Sequence, residues 1–201
     1  LKHIADGGNR GQVAGQHDVP DTEAPRGEYR YHRNGFRHHV DHAERKIAAR
    51  GKITDLAEVC RDVQSSLSQF ASERNVTVTV SGEGSAIVGG EHARTIVKNL
   101  VENAIRYNKD GGNVRVEVAQ SDDGEKTSVT VADTGIGISE EHQAHVFERF
   151  YRVNASRSRE TGGTGLGLAI VKHIASLYGA DIELKSHLGI GTTIKVTFAA
   201  K

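Results

Sequence analysis

The spacing of apolar residues predicts helices and strands after residue 50. Between Leu56 and Phe70 apolar residues recur every three to four positions, which predicts a helix with one apolar face, and Thr54 is expected to cap it. At 114–118 valine alternates with polar residues, as in a strand with one buried face. The chain therefore switches between the helical and the strand period several times.

The remaining elements follow from the same two periods. Further helices are predicted at about 91–107, from Ser139 through the phenylalanine-rich stretch 146–152, and from 166 to a stop at Gly179. Strands are predicted at 76–80, in a hairpin on either side of the turn 121–126, and in a closing hairpin near the end. Together they predict an α+β fold, a two-layer sandwich whose mixed, mostly antiparallel sheet carries helices on one face.

Residues 1–50 differ in composition from residues 51–201. They hold only seven Leu, Ile, Val or Phe but six of the 11 His, both Pro and six Gly, with no sustained helical or strand period. We predict an irregular or disordered segment here, with a helix starting near His42, followed by one globular domain. A linker remnant, a divergent region and an out-of-frame translation all fit this composition.

Composition excludes several function classes. The 26 basic and 26 acidic residues balance, so no overall field attracts nucleic acid or an acidic membrane. Cys60 is the single cysteine, which excludes an internal disulfide and suits a reducing, cytoplasmic setting. The sequence shows no signal peptide and no membrane-spanning run, and its lack of Met suggests a fragment of a longer protein.

A glycine-rich loop precedes the helix predicted from 166. Gly163, Gly165 and Gly167 lead into a helix whose first amides are unpaired, which is a natural site for phosphate. The loop does not follow a strand, so a dinucleotide-binding fold is excluded, and a P-loop is excluded because its Gly-Lys-Ser/Thr is missing. A flexible loop before a core helix remains an equal alternative.

Two further motifs could hold other parts of such a ligand. Asn99 and Asn103 lie one turn apart on a helix that is otherwise apolar, with Arg106 near the same edge. Amide oxygens can complete a Mg²⁺ shell beside phosphates, although both side chains could instead bond to the backbone. Asp133 ends a strand before Gly135 and Gly137, where a carboxylate could accept a hydrogen bond from adenine's amine, or simply make a turn.

The order and spacing of these motifs resemble the ATP-binding catalytic domain of sensor histidine kinases. The stretches NLVENAIRYN, DTGIGIS, VFERFYR and GGTGLGLA match the N, G1, F and G2 boxes of that family, in order. The resemblance covers about 54–198 and includes the closing GIGTTIKVTF. The stretch RFYRVNASRSRETGGTGLGLAIVKHI looks especially like the PhoR-like class. It implies the Bergerat-type fold of the superfamily that includes gyrase and MutL.

The resemblance also implies a role for each matching residue. Asn103 would be the principal Mg²⁺ ligand with Asn99 in support, and Arg106 would join these two as a catalytic residue near phosphate. Asp133 would recognise adenine in a pocket shaped by Gly135 and Gly137. Phe147 and Phe150 would anchor a mobile lid spanning about 134–164. The implied ATP-binding set is completed by Tyr107, Ile138, Arg152, Gly163, Thr164, Gly165, Leu166, Gly167, Leu168 and Thr192.

The resemblance implies a histidine kinase that uses ATP and Mg²⁺ and works in a homodimer with a response regulator. The family's acceptor motif, His-Glu-hydrophobic-Arg-Ser/Thr-Pro-Leu, is missing from residues 1–50. The acceptor hairpin is thus expected elsewhere in the full protein or on a partner chain. An anti-sigma-type serine kinase and a non-catalytic, nucleotide-gated interaction module remain alternatives. Weak intrinsic ATP hydrolysis is expected, because Asn99 occupies the position of the glutamate that activates water in gyrase-type enzymes.

Overall fold

A computed structural model of the chain describes residues 28–31, 52–153 and 164–200. The helices are α1 (Leu56–Ser66), α2 (Ser68–Ser72), α3 (Gly90–Arg106), α4 (Glu140–Gln143) and α5 (Gly167–Tyr178). The strands are β1 (Glu28–Tyr31), β2 (Ile53–Asp55), β3 (Thr77–Gly82), β4 (Ser85–Ile87), β5 (Asn113–Gln120), β6 (Lys126–Asp133), β7 (Asp181–His187) and β8 (Gly191–Ala199).

The main sheet has six strands in the order β1-β7-β8-β6-β5-β3. All neighbours are antiparallel except β3 and β5, which are parallel. The short strands β2 and β4 pair separately. The predicted mixed, mostly antiparallel sheet and both predicted hairpins are therefore confirmed.

One face of the sheet packs against the helices. On β5, Val114, Val116 and Val118 are buried, whereas Arg115 and Glu117 between them are exposed. This alternation follows from the two-residue period of a strand that has only one face in the core. The helices on the buried face complete the predicted two-layer sandwich.

The three longest helices, α1, α3 and α5, bury one apolar stripe each. Leu56 and Val63 of α1, Leu100 of α3 and Val171 of α5 are all almost inaccessible to solvent. Gly179 ends α5 in the left-handed conformation, at the predicted stop. Because α3 lies between α1 and α5 in the core, its polar edge is held against the start of α5.

Two local predictions on the helices are wrong. The N-cap of α1 is Asp55, whose side chain accepts from the Glu58 amide at 3.0 Å, whereas Thr54 donates its hydroxyl to the Val88 carbonyl. The predicted helix through 146–152 is a series of turns, since α4 ends at Gln143. At its end the backbone of Phe150 is left-handed (φ 64°), which no helix can continue through.

The segment 1–50 is described only at β1. These four residues form an edge strand against β7, so the expectation of irregular structure is wrong there. An edge strand pairs with its neighbour through backbone hydrogen bonds, which do not depend on an apolar pattern in the sequence. The alternation of apolar and polar residues therefore did not predict this strand. The helix predicted near His42 lies outside the described residues, and the domain boundary near residue 50 stays a prediction.

Candidate functional site

A cavity of about 510 Å³ opens between α3, the end of β6 and the start of α5. That volume lies within the range of small-molecule and cofactor sites. It brings together these predicted residues: Asn99, Asn103, Arg106, Tyr107, Asp133, Gly137, Ile138, Arg152, Thr164, Gly165, Gly167, Leu168 and Thr192. Motifs that are far apart in the sequence thus face one cavity.

Asp133 stands at the end of β6 with its carboxylate held in place. Its Oδ1 accepts from the Gly135 amide at 2.8 Å and from the Thr192 amide at 3.2 Å. Among the described residues, no hydrogen bond to Oδ2 is found, so this oxygen can accept from a ligand in the cavity. Burial raises the pKa of the Asp133 carboxyl, and the two amide bonds oppose that rise.

A polar network supports Thr192 from below. The Ser186 hydroxyl lies 2.9 Å from the Thr192 hydroxyl, donates to the Gly191 carbonyl and accepts from the Ile138 amide at 2.8 Å. The buried Gln143 side chain donates to the carbonyls of Ile138 and Ser186. These bonds fix the loop after Asp133 to the β7–β8 hairpin, and so fix the orientation of the carboxylate.

The glycines after Asp133 are required by backbone packing. A Cβ on Gly135 would lie 2.3 Å from the Tyr107 carbonyl oxygen. Gly137 is left-handed (φ +67°), and a Cβ there would lie 2.0 Å from the His187 carbonyl oxygen. The loop can therefore press against the end of α3 and against β7 only without side chains at these positions.

Asn99 and Asn103 face the start of α5. The Asn99 amide nitrogen donates to the Thr95 carbonyl at 2.8 Å, which leaves Oδ1 directed away from its own helix. A Cβ on Gly167 would lie 2.8 Å from that Oδ1 and 3.6 Å from the Asn103 amide nitrogen. The glycine at the start of α5 thus brings its unpaired amides beside both asparagines.

The start of α5 is tied to the segment before the glycine loop. The Phe150 amide donates to the Gly165 carbonyl at 2.9 Å, and Gly165 is left-handed (φ +71°). Its missing Cβ would lie 2.9 Å from the Phe150 backbone. The middle of the predicted lid is therefore held against the start of α5.

Four predicted residues of the described part of the chain do not line the cavity, and a fifth is not described. Gly135 supports the lining from behind, and Leu166 is the N-cap of α5. Phe147 is buried in the core, as an apolar anchor should be. Gly163 lies outside the described residues. The anchor role expected of Phe150 is wrong, because its side chain is 70% exposed where the left-handed backbone turns towards Gly165.

Sequence reasoning missed several lining residues, among them Glu102, Asn108, Ile136, Tyr151 and Val153. Glu102 could have been found, because it lies three residues after Asn99 and one turn before Arg106 on the same helix. The Tyr151 hydroxyl lies 2.7 Å from His142 Nδ1, a contact across turns that no periodic pattern announces.

The described residues carry no cluster of three or more His, Cys, Asp or Glu able to hold a metal ion. A divalent cation at this cavity would therefore rely on amide oxygens and on oxygens brought by the ligand itself, which is a common arrangement for Mg²⁺.

Within residues 52–153 and 164–200, no helix has the length and apolar character needed to cross a membrane.

Helices layered on one face of a mixed sheet, with a cavity between the central helix and a strand end, define an α/β-sandwich ligand-binding domain. Residues 88–201 match the family described as histidine kinase-, DNA gyrase B-, and HSP90-like ATPase. The match covers more than half of the chain. The chain belongs to this family, and its globular part is an ATP-binding domain.

Similar proteins are sensor histidine kinases. SenX3 of Mycolicibacterium smegmatis is 39% identical over 155 residues, which cover 73% of this chain and 39% of SenX3. The phosphate regulon sensor protein PhoR of Pseudomonas aeruginosa is 38% identical over 146 residues, covering 72% of this chain and 32% of PhoR. The chain thus spans about a third of the length of these relatives.

Solved structures share the fold. The mycobacterial sensor histidine kinase MprB superposes with a TM-score of 0.64 at 26% identity, covering 75% of this chain and 98% of that one. Full-length ShkA in complex with AMPPNP gives a TM-score of 0.63 at 24% identity, covering 79% of this chain and 34% of ShkA. The predicted fold class and the family resemblance are confirmed.

Proposed function

We propose that this chain is the ATP-binding catalytic portion of a two-component sensor histidine kinase. It transfers the γ-phosphate of ATP to a histidine on a dimerising helical hairpin, which belongs to the full-length protein or to a partner chain. The phosphate then passes to an aspartate of a response regulator. The sensor kinases among the relatives support this reaction, and the ShkA complex holds AMPPNP, an analogue of ATP.

One observation carries the proposal: a single cavity joins a carboxylate at one end to two amides and a helix N-terminus at the other. Asp133 Oδ2 accepts a hydrogen bond from the 6-amino group of adenine. The triphosphate extends towards Asn99, Asn103 and the first amides of α5, where the helix dipole favours negative charge. Arg106 lies one turn beyond Asn103 on α3 and faces the same cavity.

The donor set fits a magnesium ion bound together with the nucleotide. Asn99 Oδ1 is available because its amide nitrogen is committed to the Thr95 carbonyl, and Asn103 lies beside it. When bound, Mg²⁺ would neutralise charge on the β- and γ-phosphates. Neutral amide ligands suit this position, since a carboxylate ligand would add negative charge beside a polyanion.

Transfer needs positioning more than covalent chemistry by the protein. A nitrogen of the acceptor histidine attacks the γ-phosphorus while the bond to the β–γ bridging oxygen breaks, and ADP leaves with that electron pair. The asparagine face of α3 and the amides of α5 hold the phosphates in line. Asn99 cannot act as a general base for water, so transfer to a histidine is favoured over hydrolysis.

Phosphotransfer to a supplied hairpin tests the proposal. The chain is incubated with γ-labelled ATP, Mg²⁺ and a purified acceptor hairpin from a related sensor kinase. We expect label on the hairpin that acid removes and alkali does not, with little phosphate release when the hairpin is omitted. Acid-stable label would favour a serine kinase of the anti-sigma type. Nucleotide binding with no transfer to any hairpin would leave a nucleotide-gated interaction module.

A further inference from the structure

A carboxylate of α3 also lines the cavity, on the helix that carries the two asparagines. Glu102 lines the cavity together with Arg106, one helical turn further on. Glu102 Oε1 lies 2.5 Å from Arg106 Nη2, a short charge-assisted hydrogen bond. The side chains are 33% and 14% exposed, so this pair is less screened by solvent than an ordinary surface ion pair.

The ring of Phe70, on α2, also lies near the guanidinium of Arg106. Arg106 Cζ lies 5.5 Å from the centre of the Phe70 ring, and the Cζ of Arg74 lies 3.9 Å from the same centre. A second cation at this ring opposes any shift of Arg106 further towards α2. The guanidinium thus lies near the Phe70 ring and is bonded to the Glu102 carboxylate.

We propose that Glu102 is a positioning residue that restrains Arg106 and competes with the nucleotide's phosphates for its guanidinium. The inference rests on the proposed function, because it takes the ligand to be a nucleotide with its phosphates near Arg106. The restraint lowers the affinity for the phosphate chain but not for the nucleoside. Its effect therefore grows with the number of phosphates, from adenosine through ADP to ATP.

Glu102→Gln tests the restraint, since it keeps the size of the side chain and removes its charge. We expect this variant to bind ATP roughly two- to tenfold more tightly than the parent, while its affinity for adenosine stays the same. Glu91→Gln is the matched control. It makes the same change at an exposed position on α3, about 16 Å away along the helix, and should leave both affinities unchanged.

The same substitution in an Arg106→Gln background shows whether Glu102 acts through Arg106. In that background the gain in the ATP-to-adenosine affinity ratio should fall to less than half. An equal gain in both backgrounds would overturn the proposal, because Glu102 would then act on the phosphates directly.

Three other outcomes are decisive. Unchanged ATP affinity in Glu102→Gln overturns the restraint alone, and weaker Mg²⁺-dependent binding shows that Glu102 is instead a metal ligand. A parent chain that binds neither ATP nor adenosine contradicts the proposed function itself. Thermal unfolding of each variant separates loss of binding from loss of folding, so a misfolded double variant leaves the comparison of Glu102→Gln with Glu91→Gln still decisive.

Discussion

Replacing Asp133 by asparagine should change which base the cavity accepts. The introduced amide oxygen can still accept from the amides of Gly135 and Thr192, so the loop keeps its geometry. The introduced amide nitrogen, however, takes the place of Oδ2 and is a donor. It meets the 6-amino group of adenine donor to donor, whereas the 6-oxo group of inosine can accept from it.

The size of the effect follows from the bond that is lost. A hydrogen bond to a charged group contributes about 1.5–3 kcal/mol, which corresponds to an ATP affinity lowered by about 10- to 150-fold. ITP should bind Asp133→Asn more tightly than it binds the parent, because the parent carboxylate repels its 6-oxo group. The fold should lose no stability, since burial disfavours the charge that the substitution removes.

Calorimetric titration with ATP and ITP in the presence of Mg²⁺ measures both changes. Asp122→Asn is the control, because Asp122 lies exposed in the β5–β6 turn. This substitution removes the same charge far from the cavity. The adenine assignment is refuted if Asp133→Asn binds ATP as the parent does. It is also refuted if ATP and ITP weaken by the same factor.

Three further predictions concern stability, pH and reactivity. Gly137→Ala should lower the free energy of unfolding by about 2–4 kcal/mol in urea melts, because its Cβ would meet the His187 carbonyl. Gly189 is also left-handed but has open space around it, so Gly189→Ala should lower the free energy of unfolding by only about 1 kcal/mol. Equal losses in the two variants would contradict the packing argument. Because burial raises the pKa of Asp133, lowering the pH through that pKa should weaken ATP binding by the parent, while the contribution of this group to stability rises. Asp133→Asn should show neither pH effect. ATP binding by the parent that tightens as the pH falls, or a stability contribution that falls, would contradict the sign. Burial raises the pKa of the Cys60 thiol to about 12. A thiol reagent at pH 8 should therefore modify Cys60 only in denaturant, and rapid labelling of the native chain would contradict its burial.

Local patterns predicted the elements and the motifs well, for a physical reason. The period of α3 places Asn99 and Asn103 on one edge, and a strand that ends at Asp133 places a carboxylate at the rim of the sheet. Glycines next to these positions mark where another backbone comes close. Each of these features depends on residues near one another in the chain, so the sequence alone could show them.

The rest of the site depends on tertiary contacts. The buried bonds of Gln143 join the segment after Asp133 to a hairpin more than 40 residues further along, and no periodic pattern reports such a contact. The turns after α4 were predicted as a helix because their apolar residues have helical spacing, yet the left-handed Phe150 and its bond to Gly165 end that segment differently. Asp55 and Thr54 are adjacent and both are residue types that cap helices, so the sequence could not separate them. The Thr54 hydroxyl donates to the Val88 carbonyl, and Asp55 is left to accept from the Glu58 amide.

Nucleotide binding by the whole chain tests the central claim most directly. The chain is titrated calorimetrically with AMPPNP, with and without Mg²⁺. We predict one site per chain, tighter binding when Mg²⁺ is present, and displacement of AMPPNP by ATP. No saturable binding of AMPPNP at millimolar concentration with Mg²⁺ would contradict the account, because the cavity between α3 and Asp133 would then not be a nucleotide site.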